Sequence, residues 1–296
     1  MNLDDLFQHF RRSRVYLKNV TQDTLRFYDT SWNVTYKNWG ITKPEEITKK
    51  VLDDLIILWR ENGVKPVSVN TYISFLNAFL RWMHEEGYVG QLFKMKKLKV
   101  ELKPVNIFKD DDVKKIINFK PKTMLERRLW VMVCLLLDTG MRSTECTALR
   151  VEQVNLDQLT VIVKGKGQKD RFVPISLEMR KILYEWQKKS GVKQGWLFPT
   201  RTDTTLSRRN FIRDIGILCK KIGVTDARLS PHTFRHYFAV TFLRKGGDIY
   251  SLSRILGHTS VKVTEVYLRS MGIEDLQHEQ QRLSPVARFF KKMFSL

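Results

Sequence analysis

The chain is short of cysteine, of long apolar runs and of acidic side chains, and each shortage removes a class of protein. Its three cysteines, Cys134, Cys146 and Cys219, stand far apart and form no Cys-x-x-Cys pair. A zinc ribbon and a disulfide framework both need paired, regularly spaced thiols, so neither fits. Isolated thiols of this kind read as reduced, mostly buried side chains of a cytosolic protein. The apolar run Val131 to Leu137 is far short of the roughly 20 residues that cross a bilayer. The start, Met1-Asn2-Leu3-Asp4-Asp5, lacks the basic opening and apolar stretch of a signal peptide. A cytoplasmic location without a membrane partner is therefore expected.

The deficit of acids is the strongest of these clues. Against 52 Lys+Arg there are 31 Asp+Glu, a formal net charge of +21. Such a surface carries a wide positive field, whose usual partner is nucleic acid. Ribosomal association and anionic membranes are the blander explanations. The 43% of apolar residues and seven tryptophans point to a folded protein, and 296 residues suit two domains.

Residues 1–93 read as helices. Leu3 to Lys18 is amphipathic, and Thr21 to Trp39 carries Phe27, Tyr28, Trp32, Tyr36 and Trp39 at roughly helical steps. These aromatics read as core. Pro44-Glu45-Glu46 opens a short helix, Thr48 caps one over Val51 to Asn62, and Ser68 opens one over Val69 to Glu86. Residues 94–104, basic and ending in proline, read as a linker, either a solvated loop or a strip along a phosphate backbone. Residues 105–296 form the second block. The field is uneven: residues 1–103 carry net +5 and residues 104–296 net +16.

The second block begins with helices over Lys109 to Phe119 and Leu125 to Thr139, the latter ended by Gly140, and another begins at Arg142. The period then changes to two at Leu159–Val163 and Arg171–Ile175, with a two-glycine turn between them. After Pro199 the pattern returns to helix. The expected fold is mainly α in two domains: a helical one, then an α+β one with a small antiparallel sheet.

Two motifs carry the chemistry. Thr139-Gly140-Met141-Arg142-Ser143-Thr144-Glu145 is followed far downstream by His232-Thr233-Phe234-Arg235-His236, then Leu256-Gly257-His258 and Tyr267. Two guanidiniums, planar and always charged, suit a phosphodiester that gains negative charge as it is attacked. A tyrosine, with a free pKa near 10, attacks only with neighbours that favour its phenolate or take its proton. A lysine or histidine serves to protonate the leaving oxygen. Taken singly these residues are ordinary. Arg142 alone reads as a surface ion pair, and Tyr267 as a core side chain. His232 and His236, four apart, lack the intervening glutamate and third ligand of a zinc site. No metal and no cofactor is expected.

In this order the motifs resemble the two boxes of the tyrosine recombinases (phage integrases and Xer-like enzymes). The turn Gly165-Lys166-Gly167, with Lys169 and Arg171, resembles their β-hairpin with its catalytic lysine. The resemblance covers the second block. The first is similar to the family's core-binding domain, most clearly over Ser68 to Trp82, though Thr71–Ser74 lacks the basic residue often found there. Cys146 and Thr147 replace aliphatic residues after the first box.

The resemblance implies that Arg142 and Arg235 clamp the scissile phosphate. Lys166, between the glycines, is then the general acid for the 5′ hydroxyl. His232 assists proton transfer at the nucleophile, His258 hydrogen-bonds the phosphate, and Glu145 orients Arg142 or His232. Tyr267 forms a 3′-phosphotyrosine link, which keeps the bond energy for rejoining without ATP. The partners implied are double-stranded DNA with paired recombination sites, gripped by a C-shaped clamp. Four subunits, with an accessory protein or second recombinase as an option, would act in the nucleoid.

The tail from about 273 to 294 is either a helix closing its own core or one exchanged around a ring of subunits. Three competing classes fit less of the sequence. A type IB topoisomerase shares the chemistry but needs no exchange helix. A regulator that has lost catalysis would not keep every catalytic position. An RNA-binding protein explains only the charge. A simple Xer-like recombinase and a mobile-element integrase or transposase remain equally open.

Overall fold

The computed structural model describes residues 1–101, 107–164, 170–225 and 228–286. Two compact units divide at Leu102 and Lys103. In the first, α1 (Leu3–Tyr16), α2 (Gln22–Trp39), α3 (Lys49–Glu61) and α4 (Pro66–Glu85) pack around one core. Their starts are set locally. Asn2, Thr21 and Thr48 each accept a hydrogen bond from a first-turn amide, which satisfies donors a helix cannot pair itself. Pro44–Glu46 is a single 3-10 turn. The core is largely aromatic: Phe7 stacks on Trp32 at 4.7 Å, and Phe75 and Phe79 meet both edge-on.

Helix α4 starts two residues before the expected Ser68. Pro66 occupies its first turn, where a missing N–H costs nothing and the fixed φ is already helical. Two asparagines seven residues apart on α4 then hold the basic stretch that follows. Asn77 bonds the amide and carbonyl of Met95 at 2.8 and 3.0 Å. Asn70 does the same to Leu98 at 2.7 and 2.9 Å. Met95 is buried, while Lys94, Lys96, Lys97 and Lys99 are exposed. Each side-chain amide thus pairs the backbone as a neighbouring strand would. Of the expected linker, residues 102–104 lie outside the described residues.

The second unit holds α5 (Asp110–Ile117), α6 (Met124–Thr139) and α7 (Ser143–Thr147). A three-stranded antiparallel sheet follows, formed by β1 (Val154–Asn155), β2 (Thr160–Lys164) and β3 (Asp170–Pro174). Beyond it come α8 (Leu177–Ser190), α9 (Arg208–Ile222), α10 (Pro231–Arg244), α11 (Ile249–Leu256) and α12 (Ile273–Leu283). Helix α6 is apolar nearly all round because α8, α9 and α10 all pack on it. The fold is mainly helical with one small sheet. The three cysteines are buried, and burial pushes the thiols of Cys134 and Cys219 up to about 12. No helix among the described residues is long and apolar enough to cross a membrane.

The sheet matters for what it aims. Val161 pairs with Val173, and both are buried, as is Val163. Side chains alternate along a strand, so Arg171, two residues before Val173, points to the same inner face. Its neighbour Phe172 points out and is 67% exposed.

Candidate active site

The site grows from the C-terminal end of α6. Gly140 ends that helix with φ +61°, a left-handed conformation that costs glycine little. A Cβ there would collide with Phe238 and Leu256. The turn brings Arg142 to the N-cap of α7, where its amide donates to Glu145 Oε2 at 2.7 Å. Gly257 does the same service at the end of α11. Its φ is +65°, and a Cβ would come within 2.8 Å of the Arg171 guanidinium.

Both glycine carbonyls then receive an arginine. Arg235 Nη1 donates to the Gly140 carbonyl at 2.7 Å, and its Nη2 donates to the Leu256 carbonyl at 2.9 Å. Arg142 Nη2 donates to the Gly257 carbonyl at 3.0 Å. The two turns therefore fix both guanidiniums from behind. Arg235 lies on the inward face of α10, 5% exposed, with no carboxylate ion pair among the described residues. Burial, with Arg142 nearby, pushes it down to about 10. It stays charged at neutral pH, and a buried guanidinium suits pairing with a phosphate.

Glu145 is the counter-charge beneath. Its side chain is 7% exposed, and Arg142 Nη1 donates to Oε1 at 2.9 Å. Arg171 grips the carboxylate with both terminal nitrogens at 2.8 Å, and its Nε donates to the Ile255 carbonyl at 3.0 Å. Burial alone would raise this carboxyl. The hydrogen bonds from Arg171 and Arg142 outweigh it and hold Glu145 below its usual range. Glu145 thus bonds Arg142, one of the two residues expected beside it, and Arg171, which was not expected there.

His258 is fixed as one tautomer. Its Nε2 sits 2.8 Å from Arg235 Nη2, and its Nδ1 sits 2.7 Å from Thr264 Oγ1. Arginine only donates, so Nε2 accepts and the proton is on Nδ1. Burial and three arginines push this histidine down to about 4. It is neutral at pH 7.

Tyr267 lies in a 3-10 stretch, Glu265–Ser270, and is 3% exposed against Ala239, Val240, Leu243, Leu252 and Leu256. Its hydroxyl is 3.3 Å from His236 Nδ1. Burial raises the phenol, and Arg235 and Arg142 oppose that rise. The imidazole at the hydroxyl is thus that of His236, where the sequence reading looked to His232. His232 is exposed on the same helix. Burial, Arg208, Arg235, Arg228 and Arg142 all lower its pKa. Spacing supplies the missed signal: positions 232, 235 and 236 share one face of α10, so both histidines line the site.

Arg142, Glu145, Arg235, His258 and Tyr267 are brought together, with His232 at the rim. Lys166 lies outside the described residues. Among those residues no third histidine, cysteine or carboxylate joins His232 and His236 in a metal-binding group.

The model of the phage integrase family matches residues 106–272, more than half of the chain. The chain belongs to this family, the tyrosine recombinases. It is a site-specific DNA recombinase, an enzyme that cleaves and rejoins DNA. It is 29% identical to the tyrosine recombinase XerC of Lactobacillus delbrueckii subsp. bulgaricus over 89% of this chain and 96% of that protein. It is 25% identical to XerD of Listeria innocua over 90% and 94%. Among solved structures, the Tn1549 transposon integrase in complex with transposon right-end DNA matches the fold. The TM-score is 0.78 at 16% identity, covering 96% of this chain and 100% of that one.

Proposed function

We propose that this recombinase binds duplex DNA and cuts it through a 3′-phosphotyrosine at Tyr267. The observation that carries the reading is one cluster. The Tyr267 hydroxyl lies near the Arg235 guanidinium, which is buried without a carboxylate ion pair among the described residues, and His258 and Arg142 lie close to it. The scissile phosphate is held by Arg142 and Arg235. Their charge stabilises the extra negative charge of the five-coordinate transition state. The nucleophile comes from the same chain as the arginines.

The remaining roles follow from chemistry and from the family pattern. Lys166 protonates the departing 5′ oxygen. The resemblance gives His232 a part in proton transfer at the nucleophile, but its exposed place near four arginines suits contact with the phosphate. His258 Nε2, now spent on Arg235, turns to the phosphate only when it gains a proton, and an arriving anion favours that charge. Glu145 keeps Arg142 and Arg171 in place. The covalent link conserves the phosphodiester energy, so rejoining requires neither ATP nor metal.

The unit of residues 1–102 serves as the core-binding domain, with Lys94, Lys96, Lys97 and Lys99 as phosphate contacts. The strand exchange runs in a tetramer on two DNA sites. Helix α12 supports this: none of its residues is buried, and Ile273, Leu276 and Leu283 are 73%, 57% and 65% exposed. An apolar face left open on its own unit suits exchange with a neighbour. A topoisomerase acting as a monomer has no use for it. The expected exchange segment beyond residue 286 lies outside the described residues. Resolution of replicon dimers and integration of a mobile element are both compatible with this machinery.

Covalent trapping on nicked suicide duplexes made from DNA flanking the gene tests the reading. Wild type in EDTA should give a protein–DNA adduct, and Tyr267→Phe should give none. An adduct in the variant, or dependence on a divalent ion, would refute it. Truncation before Ile273 should abolish tetramers on DNA while leaving adduct formation; persistent tetramers would refute the exchange.

A further inference from the structure

We infer that His236 is a catalytic residue, the acceptor of the Tyr267 proton. The inference rests on Tyr267 being the nucleophile and assigns its missing base. Geometry carries it. His236 Nδ1 is 3.3 Å from the hydroxyl, and the rings are 5.6 Å apart. The positive charge of Arg235 also favours the phenolate of this hydroxyl. A phenol that attacks phosphorus must give up its proton, and His236 Nδ1 stands within hydrogen-bond distance to take it. A hydrogen bond of this length in a DNA-free enzyme tightens when substrate aligns the groups.

The alternative base is placed less well. His232 stands one turn before His236, with its ring 6.4 Å away, and is exposed among Arg208, Arg228, Arg142 and Arg235. That setting suits contact with an anion. His236 is half-buried, next to His232 and Arg235, and these surroundings push it down to about 4. It is therefore neutral and free to accept at working pH. A base that weak takes the proton only as the phenol is acidified by bonding to phosphorus, and the incoming anionic phosphate strengthens it.

The step balances. The Tyr267 O–H bond breaks and its proton passes to His236 Nδ1. The phenolic oxygen bonds to phosphorus, the bond from phosphorus to the 5′ oxygen breaks, and that oxygen takes a proton from Lys166. Rejoining reverses each transfer, so the imidazolium of His236 returns its proton to the departing tyrosine. No electrons are exchanged with an outside reagent.

A bridging 5′-phosphorothiolate separates the two ends of the reaction, because a thiolate leaves without a proton. The probe is the trapping duplex with sulfur in place of the scissile 5′ oxygen, tested beside its oxygen parent. His236→Gln keeps the size and a hydrogen-bond acceptor but takes up no proton. It should cleave both substrates about a hundredfold more slowly, a typical loss for one acid–base group. DNA affinity and melting temperature should match wild type. Lys166→Ala should be slow on oxygen and restored on sulfur. Wild-type rates in His236→Gln would overturn the inference. So would restoration of that variant by sulfur, or a loss accounted for by weaker binding. An adduct formed by Tyr267→Phe would instead remove the nucleophile assignment.

Discussion

Replacing Glu145 by glutamine removes one charge and almost no volume, and it strikes the part on which both arginines depend. The wild-type carboxylate accepts four bonds of 2.7–2.9 Å: two from Arg142 and two from Arg171. Its side chain is 7% exposed and that of Arg171 is 13% exposed, so solvent screens the pair weakly. Glutamine keeps one acceptor oxygen and turns an amide N–H toward a guanidinium. Breaking one partner of a buried ion pair costs about 3–5 kcal/mol. The retained oxygen recovers part of this, leaving a loss of about 3 kcal/mol. For a unit of this size, about 2–4 °C is lost per kcal/mol, so melting should fall by roughly 6–12 °C.

The pH dependence gives a second check on the same pair. Glu145 titrates below its usual value of 4.5. The stability it contributes is therefore fully present above that value and lost as pH falls through the lower folded one. The gap between wild type and Glu145→Gln should be constant at neutral pH and shrink in acid. Calorimetry or circular dichroism at several pH values measures this. Equal melting at pH 7 would refute the view that Glu145 anchors the two arginines.

Other changes follow from the same geometry. Gly257→Ala places a Cβ 2.8 Å from Arg171 in a left-handed turn; it should cost about 1–3 kcal/mol and lower cleavage, measured by urea melts and trapping. Asn70→Ala and Asn77→Ala each remove two hydrogen bonds, worth about 2 kcal/mol per variant. Proteolysis between Phe93 and Lys99 should rise with them. Proton NMR without DNA should find His236 and His258 neutral from pH 8 down to about 5, given values near 4. Both sit below the ordinary 6.5, so their burial stabilises the fold above that value and destabilises it as pH falls toward 4.

Much of the fold was legible because it is written in local chemistry. Thr48 announced its helix as a cap, and the change to period two over residues 159–163 and 171–175 marked the hairpin. The aromatics of α2 read correctly as core at Trp32 and Trp39, while Tyr36 is 39% exposed. Pro66 was passed over because Ser68 offered a better-known cap. Long-range pairing stayed hidden. Nothing in the sequence near Asn70 says that its amide closes on Leu98, 28 residues away. Likewise Arg171 read as part of a basic hairpin, yet it bonds a carboxylate 26 residues earlier. The choice between His232 and His236 depends on how the Glu265–Ser270 stretch returns to α10, and periodicity carries no such information.

The central claim is that Tyr267 itself becomes bonded to DNA. The most direct test is to digest the trapped adduct with protease and nuclease and sequence the labelled peptide by mass spectrometry. The account predicts a nucleoside 3′-phosphate on the peptide containing Tyr267, and no other modified residue. A phosphate on a different side chain, or a link to a 5′ end, would contradict it.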